Sequence, residues 1–263
     1  LLIHTGFSFK YSIVILTLMS VNESSRKGSI EKNIETRDAK ASTSTLYLNF
    51  SFYKIDPKWR WLNDIGKEEA AKEFAMLIET ARTKMKVETY STMGLRKESE
   101  FMIWMISDTV EKMQILTSKI YSTVIGKYID ISELYLSAAR PSAYSSSLIP
   151  SFMTDNKPMK YNVVYPFIKS REWYLLPFEE RKKMMDEHIA VGRKFPQIRL
   201  NTSYSFGLGD QDFMLAFETE NLKDFQDLIV KLRETQVSRY VVKDTPMLVC
   251  VYKDVEAIIK SLG

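Results

Sequence analysis

One short pattern occurs twice in this chain, at matching places in a strand–strand–helix order, and it limits the fold more than any other feature. Gly94-Leu95 is followed by Phe101-Met102 and, twelve residues after Phe101, by Met113-Gln114. Gly207-Leu208 is followed by Phe213-Met214 and, twelve residues after Phe213, by Phe225-Gln226. Around the first copy, Leu46, Leu48 and Phe50 alternate as in a strand, and Phe74, Leu77, Ile78 and Ala81 fall at helical spacing. Residues 85–90 and 100–106 read as strands on either side of a turn at Gly94. A helix over 109–128 with Met113, Leu116 and Ile120 facing inward comes next, then a strand near 133–138. Around the second copy, Phe225, Leu228, Ile229 and Leu232 form the equivalent helical stripe, and residues 246–252 the last strand. The repeat predicts an α+β protein of two fused ferredoxin-like halves, each βαββαβ, whose sheets form one core as a dimeric α+β barrel. Residues 44–140 and 161–263 are the expected halves. Residues 141–160, with Pro141, Ser145-Ser146-Ser147, Pro150 and Pro158, read as an irregular connector.

Composition narrows the class. With 45% hydrophobic and 12% aromatic residues among 263, the chain has ample material for a core. Its 37 basic and 33 acidic residues are spread without a basic block, which argues against a nucleic-acid partner. Cys250 is the only cysteine, so no intrachain disulfide can form, and a reducing, cytoplasmic compartment is expected. The apolar run at 11–18 is too short to span a bilayer, so no integral membrane span is expected. The chain opens on Leu, and Met19 precedes a polar stretch. Translation is therefore expected to start at Met19, with residues 1–43 a disordered or read-through extension.

The chemistry concentrates between Val163 and Arg193. Val163-Val164-Tyr165 is a β-branched and aromatic run that Pro166 is expected to end or to place at a sheet edge. Pro177 then opens a helix with Glu179 and Glu180 in its first turn, and Gly192 closes it. On that helix Met184, His188 and Val191 share one apolar face. A lone histidine there is either a hydrogen-bonded core residue or a ligand. It has no cysteine or carboxylate companions at zinc spacing, whereas haem iron needs only one proximal imidazole.

The pattern Tyr165-Pro-x-x-Lys169, then Trp173-Tyr-x-Leu-Pro-Phe-Glu-Glu-Arg181, then His188 and Gly192-Arg193, resembles the chlorite dismutase family, which includes the coproheme decarboxylases. The resemblance continues through Tyr204-Ser-Phe-Gly-Leu-Gly-Asp-Gln-Asp-Phe213 and Arg239-Tyr240, and extends less closely over 44–140. It implies a haem-dependent oxidoreductase that binds haem b or iron-coproporphyrin in a homo-oligomer, with a pentameric ring expected. The first reading is a coproheme decarboxylase driven by hydrogen peroxide. Chlorite dismutase, turning chlorite into chloride and dioxygen, and a non-catalytic haem-binding or haem-sensing protein are the alternatives.

The resemblance also implies roles. His188 is the proximal metal ligand, and Glu234 is the expected acceptor for its second nitrogen, with Glu187 or Gln236 as alternatives. Tyr165 is the expected redox relay and Lys169 the anchor for a propionate, with Arg171 able to do the same. Trp173 and Phe167 are expected to wall the macrocycle, Phe167 standing where decarboxylases usually carry methionine. For the distal side the count from Gly207 points to Leu200, flanked by Arg199 and Asn201. A guanidinium there would suit chlorite, and an apolar residue would not.

Overall fold

The computed structural model describes residues 45–144, 150–154 and 156–263. The expected N-terminal extension and the serine run of the connector lie outside the described residues. The first half runs β1 (Tyr47–Ile55), α1 (Asp64–Arg82), β2 (Lys86–Ser91), β3 (Phe101–Ser107), α2 (Val110–Ser122) and β4 (Ile129–Ala138). The second runs β5 (Tyr161–Lys169), α3 (Arg171–Leu175), α4 (Phe178–Gly192), β6 (Arg199–Tyr204), β7 (Phe213–Thr219), α5 (Leu222–Arg233), β8 (Val241–Lys243), β9 (Leu248–Tyr252) and α6 (Val255–Lys260).

Strand pairing confirms the duplication. The first half orders its strands β4-β1-β3-β2, and the second orders β9-β5-β7-β6. Both are the fourth-first-third-second order of a ferredoxin-like unit. The sheets join at two narrow seams, Ala138 with Tyr204, and Tyr90 and Ser91 with Tyr252 and Val251, so the ring of strands closes. Every residue of β3 is buried, because Phe101, Ile103 and Met105 face the helices of the first half while Met102, Trp104 and Ile106 face the barrel interior. A strand covered on both faces reads as a continuous apolar run.

Helix α1 begins at Asn63, whose side chain accepts from the Gly66 N–H at 2.7 Å. It buries Phe74 and Ile78, and α6 packs beside it with Val255, Ile258 and Ile259 in the same cluster. Helix α2 stops at Ser122 rather than running to 128. Thr123 is extended and its hydroxyl donates to the Ile120 carbonyl at 2.6 Å. The returning chain packs so closely that a Cβ on Gly126 would lie 2.1 Å from that same oxygen.

Pro166 does not end its strand. β5 pairs with β7 from Tyr161 to Phe167 without a break, Pro166 opposite Met214. On its other side β9 covers only Tyr161 to Val164, and β8 begins at Ile168. Proline therefore sits where the second neighbour is absent and its missing donor costs no ladder bond. The short elements β8, α3 and α6 have too few residues to show a period, and the sequence did not reveal them.

Phe101 is fully buried, stacked on Tyr53 at 4.9 Å and edge-on to Phe74 at 6.3 Å. Phe101→Ala is expected to lower unfolding free energy by about 3–5 kcal/mol in a denaturant titration. The exposed Val230→Ala should change it by no more than about 0.5 kcal/mol.

Candidate functional site

The two halves differ most at the helix between their first and second strands. In the first half that helix is α1, with five buried residues; its counterpart α4 has fifteen residues and none of them buried. α4 makes its main contacts with α5 and with the single turn Gln236–Tyr240 rather than with a strand. Its stripe of Met184, Met185, His188 and Val191 is only half-buried. A helix of this length normally buries its apolar face, so the standoff marks room for another apolar body.

His188 Nδ1 lies 3.4 Å from the Thr235 hydroxyl oxygen. That hydroxyl donates its one hydrogen to the Leu232 carbonyl at 2.6 Å, so towards His188 it can only accept. Nδ1 therefore carries the hydrogen and Nε2 keeps a lone pair. Burial, reinforced by the charge of Lys169, lowers the His188 pKa to about 4, so the ring is neutral at physiological pH. The expected partners of Nδ1 are engaged elsewhere. Glu234 is exposed and paired with Lys231 at 3.0 Å, and a Glu187 oxygen accepts from the Gln236 N–H at 3.1 Å. Glu234 is thus corrected to its neighbour Thr235: the helix end turns the carboxylate to solvent and the hydroxyl inward.

Strand register decides which residues face α4. Side chains alternate across a sheet, and the rows Leu200–Phe217–Val163, Thr202–Leu215–Tyr165 and Tyr204–Phe213–Phe167 share one face. Phe217, Val163, Tyr165, Phe167 and Leu215 belong with residues of α5 to one cluster on that face. Arg199 and Asn201 point to the opposite face. Arg199 Nη1 donates to the Lys157 carbonyl at 2.8 Å, and Asn201, buried, donates to Glu218 at 3.1 Å and accepts from Ser151 at 2.9 Å. Of the three distal candidates only Leu200 lies on the face with Tyr165. Two residues on, Thr202 shares a row with Tyr165, and its hydroxyl has no hydrogen-bond partner among the described residues.

Tyr165 stacks on Phe217 at 5.9 Å, and burial raises its pKa well above the ordinary phenol value. Its hydroxyl likewise has no hydrogen-bond partner among the described residues. Phe167 meets Phe213 edge-on at 6.4 Å and is half-buried.

Lys169 closes the row at the end of β5. Its Nζ sits 3.4 Å from the centre of the Trp173 ring and 3.7 Å from Met185 Sδ, with no carboxylate bonded to it among the described residues. Burial, then the charge of Arg181, lowers its pKa to about 7, against an upward pull from Asp212. Asp212 serves the backbone instead: one of its oxygens accepts from Lys169 N–H at 2.9 Å and from the Tyr174 hydroxyl at 2.7 Å. Arg181 donates to the Tyr144 hydroxyl at 3.5 Å, and Tyr144 stacks on Phe178 at 5.8 Å. The connector thus reaches the start of α4. Arg171 lines an open cleft of about 620 Å³ shared with Lys169, Tyr174 and Asp212. Arg171 is exposed there, two residues on from Lys169 in the chain.

These residues fit a haem. A neutral imidazole with a free lone pair lies on a helix whose apolar stripe is half-buried, with two cations, Lys169 and Arg181, that lack a carboxylate partner among the described residues. Sequence reasoning missed Thr202, Arg181, Asp212, Tyr144 and Thr235. Alternation along β6 would have found Thr202, two places from Leu200 and from Tyr204, but no sequence signal marks Thr235.

A family model described as chlorite dismutase matches residues 67–253. A coproheme decarboxylase of Mycolicibacterium smegmatis is 35% identical over 236 residues, covering 86% of this chain and 98% of its own. A chlorite dismutase of Ideonella dechloratans is 24% identical over 233 residues, 84% of this chain and 81% of its own. The solved chlorite dismutase of Candidatus Nitrospira defluvii in complex with imidazole is 25% identical and superposes with a TM-score of 0.75, covering 82% of this chain and 94% of that one.

Asp212→Ala removes the acceptor of Lys169 N–H and Tyr174 O–H and a carboxylate that favours the ammonium. It is expected to cost about 1–3 kcal/mol of stability by denaturant titration. The Lys169 midpoint, followed by carbon NMR of the labelled lysine, should fall below about 7.

Proposed function

The chain belongs to the chlorite dismutase family, and we propose that it is a haem-dependent oxidoreductase of the coproheme decarboxylase type, converting iron-coproporphyrin to haem b with hydrogen peroxide. The observation that carries this reading is Lys169: a buried ammonium without a carboxylate partner among the described residues, at the end of the strand that carries the buried phenol Tyr165. A propionate would supply the missing charge, and Tyr165 stands four residues away along the strand. Iron-coproporphyrin, when bound, would supply the redox centre for peroxide and the propionates whose carboxyl groups leave as carbon dioxide, each leaving a vinyl group on the ring. His188 would hold its iron through Nε2. Lys169 would hold a propionate by a charge-assisted hydrogen bond, with Arg181 reinforcing the field. Tyr165, lacking a hydrogen-bond partner among the described residues, would pass an electron and its phenolic proton while Phe217 keeps the ring in place. Trp173 and Phe167 would flank the macrocycle. Leu200 would present an apolar side chain on the distal side, and Thr202 a hydroxyl that could orient peroxide.

Chlorite dismutase is the weaker reading, because the Arg199 guanidinium is tied to a backbone carbonyl on the other face. A pentameric ring and a cytoplasmic location are part of the proposal. Among the described residues no helix is long and apolar enough to cross a membrane.

Peroxide added to the protein loaded with iron-coproporphyrin should give decarboxylated pigment by mass spectrometry. Tyr165→Phe should abolish that product while leaving the Soret shift on binding intact, and His188→Ala should lose the shift. Absence of product from the wild-type protein would refute the decarboxylase.

The affinity should also depend on pH. Free Lys169 titrates near 7, and a bound carboxylate raises that value, so binding takes up a proton above the free midpoint. Affinity is therefore full below about pH 7 and declines as pH rises above it. A fluorescence titration series should show this slope, and Lys169→Met should flatten it.

A further inference from the structure

The residue that sets the axial ligand's strength is identifiable from the hydrogen bonds around His188. We infer that Thr235 is the positioning residue for the iron ligand: it fixes the Nδ1–H tautomer and, as a neutral acceptor, keeps His188 a weakly donating imidazole. This rests on the haem-binding reading above.

Thr235 is held on every side. It is 4% exposed, its backbone N–H donates to the Leu232 carbonyl at 3.2 Å, and its own carbonyl accepts from the Ser238 hydroxyl at 2.7 Å. Its hydroxyl hydrogen is committed to Leu232 at 2.6 Å, so its oxygen presents only a lone pair to His188 Nδ1 at 3.4 Å. A carboxylate in that place would draw the Nδ1 hydrogen towards itself and give the ring imidazolate character, which strengthens the bond to iron and favours its oxidised state. The two nearest candidates cannot do so. Glu234 is held by Lys231 at 3.0 Å and Glu187 by the Gln236 N–H at 3.1 Å. The arrangement leaves a neutral ligand with a long, neutral hydrogen bond.

The test has a pigment-free arm and a loaded arm. In the pigment-free full-length protein, nitrogen NMR of the imidazole should show His188 as the Nδ1–H tautomer. Thr235→Val should lose that preference and Thr235→Ser should restore it, with folding of each checked by circular dichroism. A wild-type ring protonated on Nε2, or a tautomer unchanged in Thr235→Val, overturns the proposal whether or not haem binds. In the haem-loaded protein, Thr235→Glu should raise the iron–imidazole stretching frequency in resonance Raman and lower the reduction potential, while Thr235→Ser stays at the wild-type values. No shift in Thr235→Glu overturns the proposal. Failure of all variants and the wild type to bind haem overturns the functional reading instead, and the tautomer arm still decides the role of Thr235.

Discussion

The pairing register of β6, β7 and β5 is the constraint from which the rest of the site follows. Because side chains alternate across a sheet, the pairing of Thr202 and Tyr165 with the same residue, Leu215, settles at once which neighbours share their face and which do not. A slip of one residue in β6 would turn Arg199 and Asn201 towards α4 and send Thr202 into the barrel. The buried contacts on the far side oppose such a slip. Asn201 bonds Glu218 and Ser151, Ser203 shares a 2.7 Å hydrogen bond with Ser137 across the seam, and Ser151 is also bonded to Glu218. Breaking these together would leave buried polar groups unpaired.

Against that face, the duplicated fold uses one helix position in two ways. α1 fills its half by burying Phe74 and Ile78 and by accepting α6 alongside, and each large side chain so buried contributes about 1.5–3 kcal/mol. α4 forgoes this. It is held at its ends and edges instead, by Tyr144 on Phe178, by the Gln236 backbone on Glu187, and by Thr235 on His188. A half-buried apolar stripe is a standing cost that a bound apolar ligand would remove, so ligand binding and the stability of this half are coupled.

Electrostatics follows the same division. The charge of Arg181 works against that of Lys169, and Asp212, which favours the ammonium, spends one oxygen on two hydrogen bonds to the chain. Burial without a bonded counter-ion lowers the Lys169 pKa, and the same burial beside a cation keeps His188 neutral. One end of the site thus presents positive charge and its centre a neutral imidazole.

Much of this was legible in the chain itself. The duplication, the helical stripes and the period-two runs are local patterns, so the α+β class and the fourth-first-third-second halves could be read from residues near one another in sequence. So could His188 on an apolar helix face. The sequence alone could not tell that β5 runs through Pro166, because that depends on where β9 and β8, some eighty residues on, leave a gap. Nor could it choose among Arg199, Leu200 and Asn201, since adjacent residues differ only in the face that long-range pairing assigns them. It misassigned the partner of His188 by one residue: Glu234 looked the better acceptor, but a helix end sends neighbouring side chains in different directions and Thr235 was the one turned inward. Elements and residue types were set by the sequence; faces and partners were decided by tertiary structure, because a face is a property of register between segments that the chain brings together only on folding.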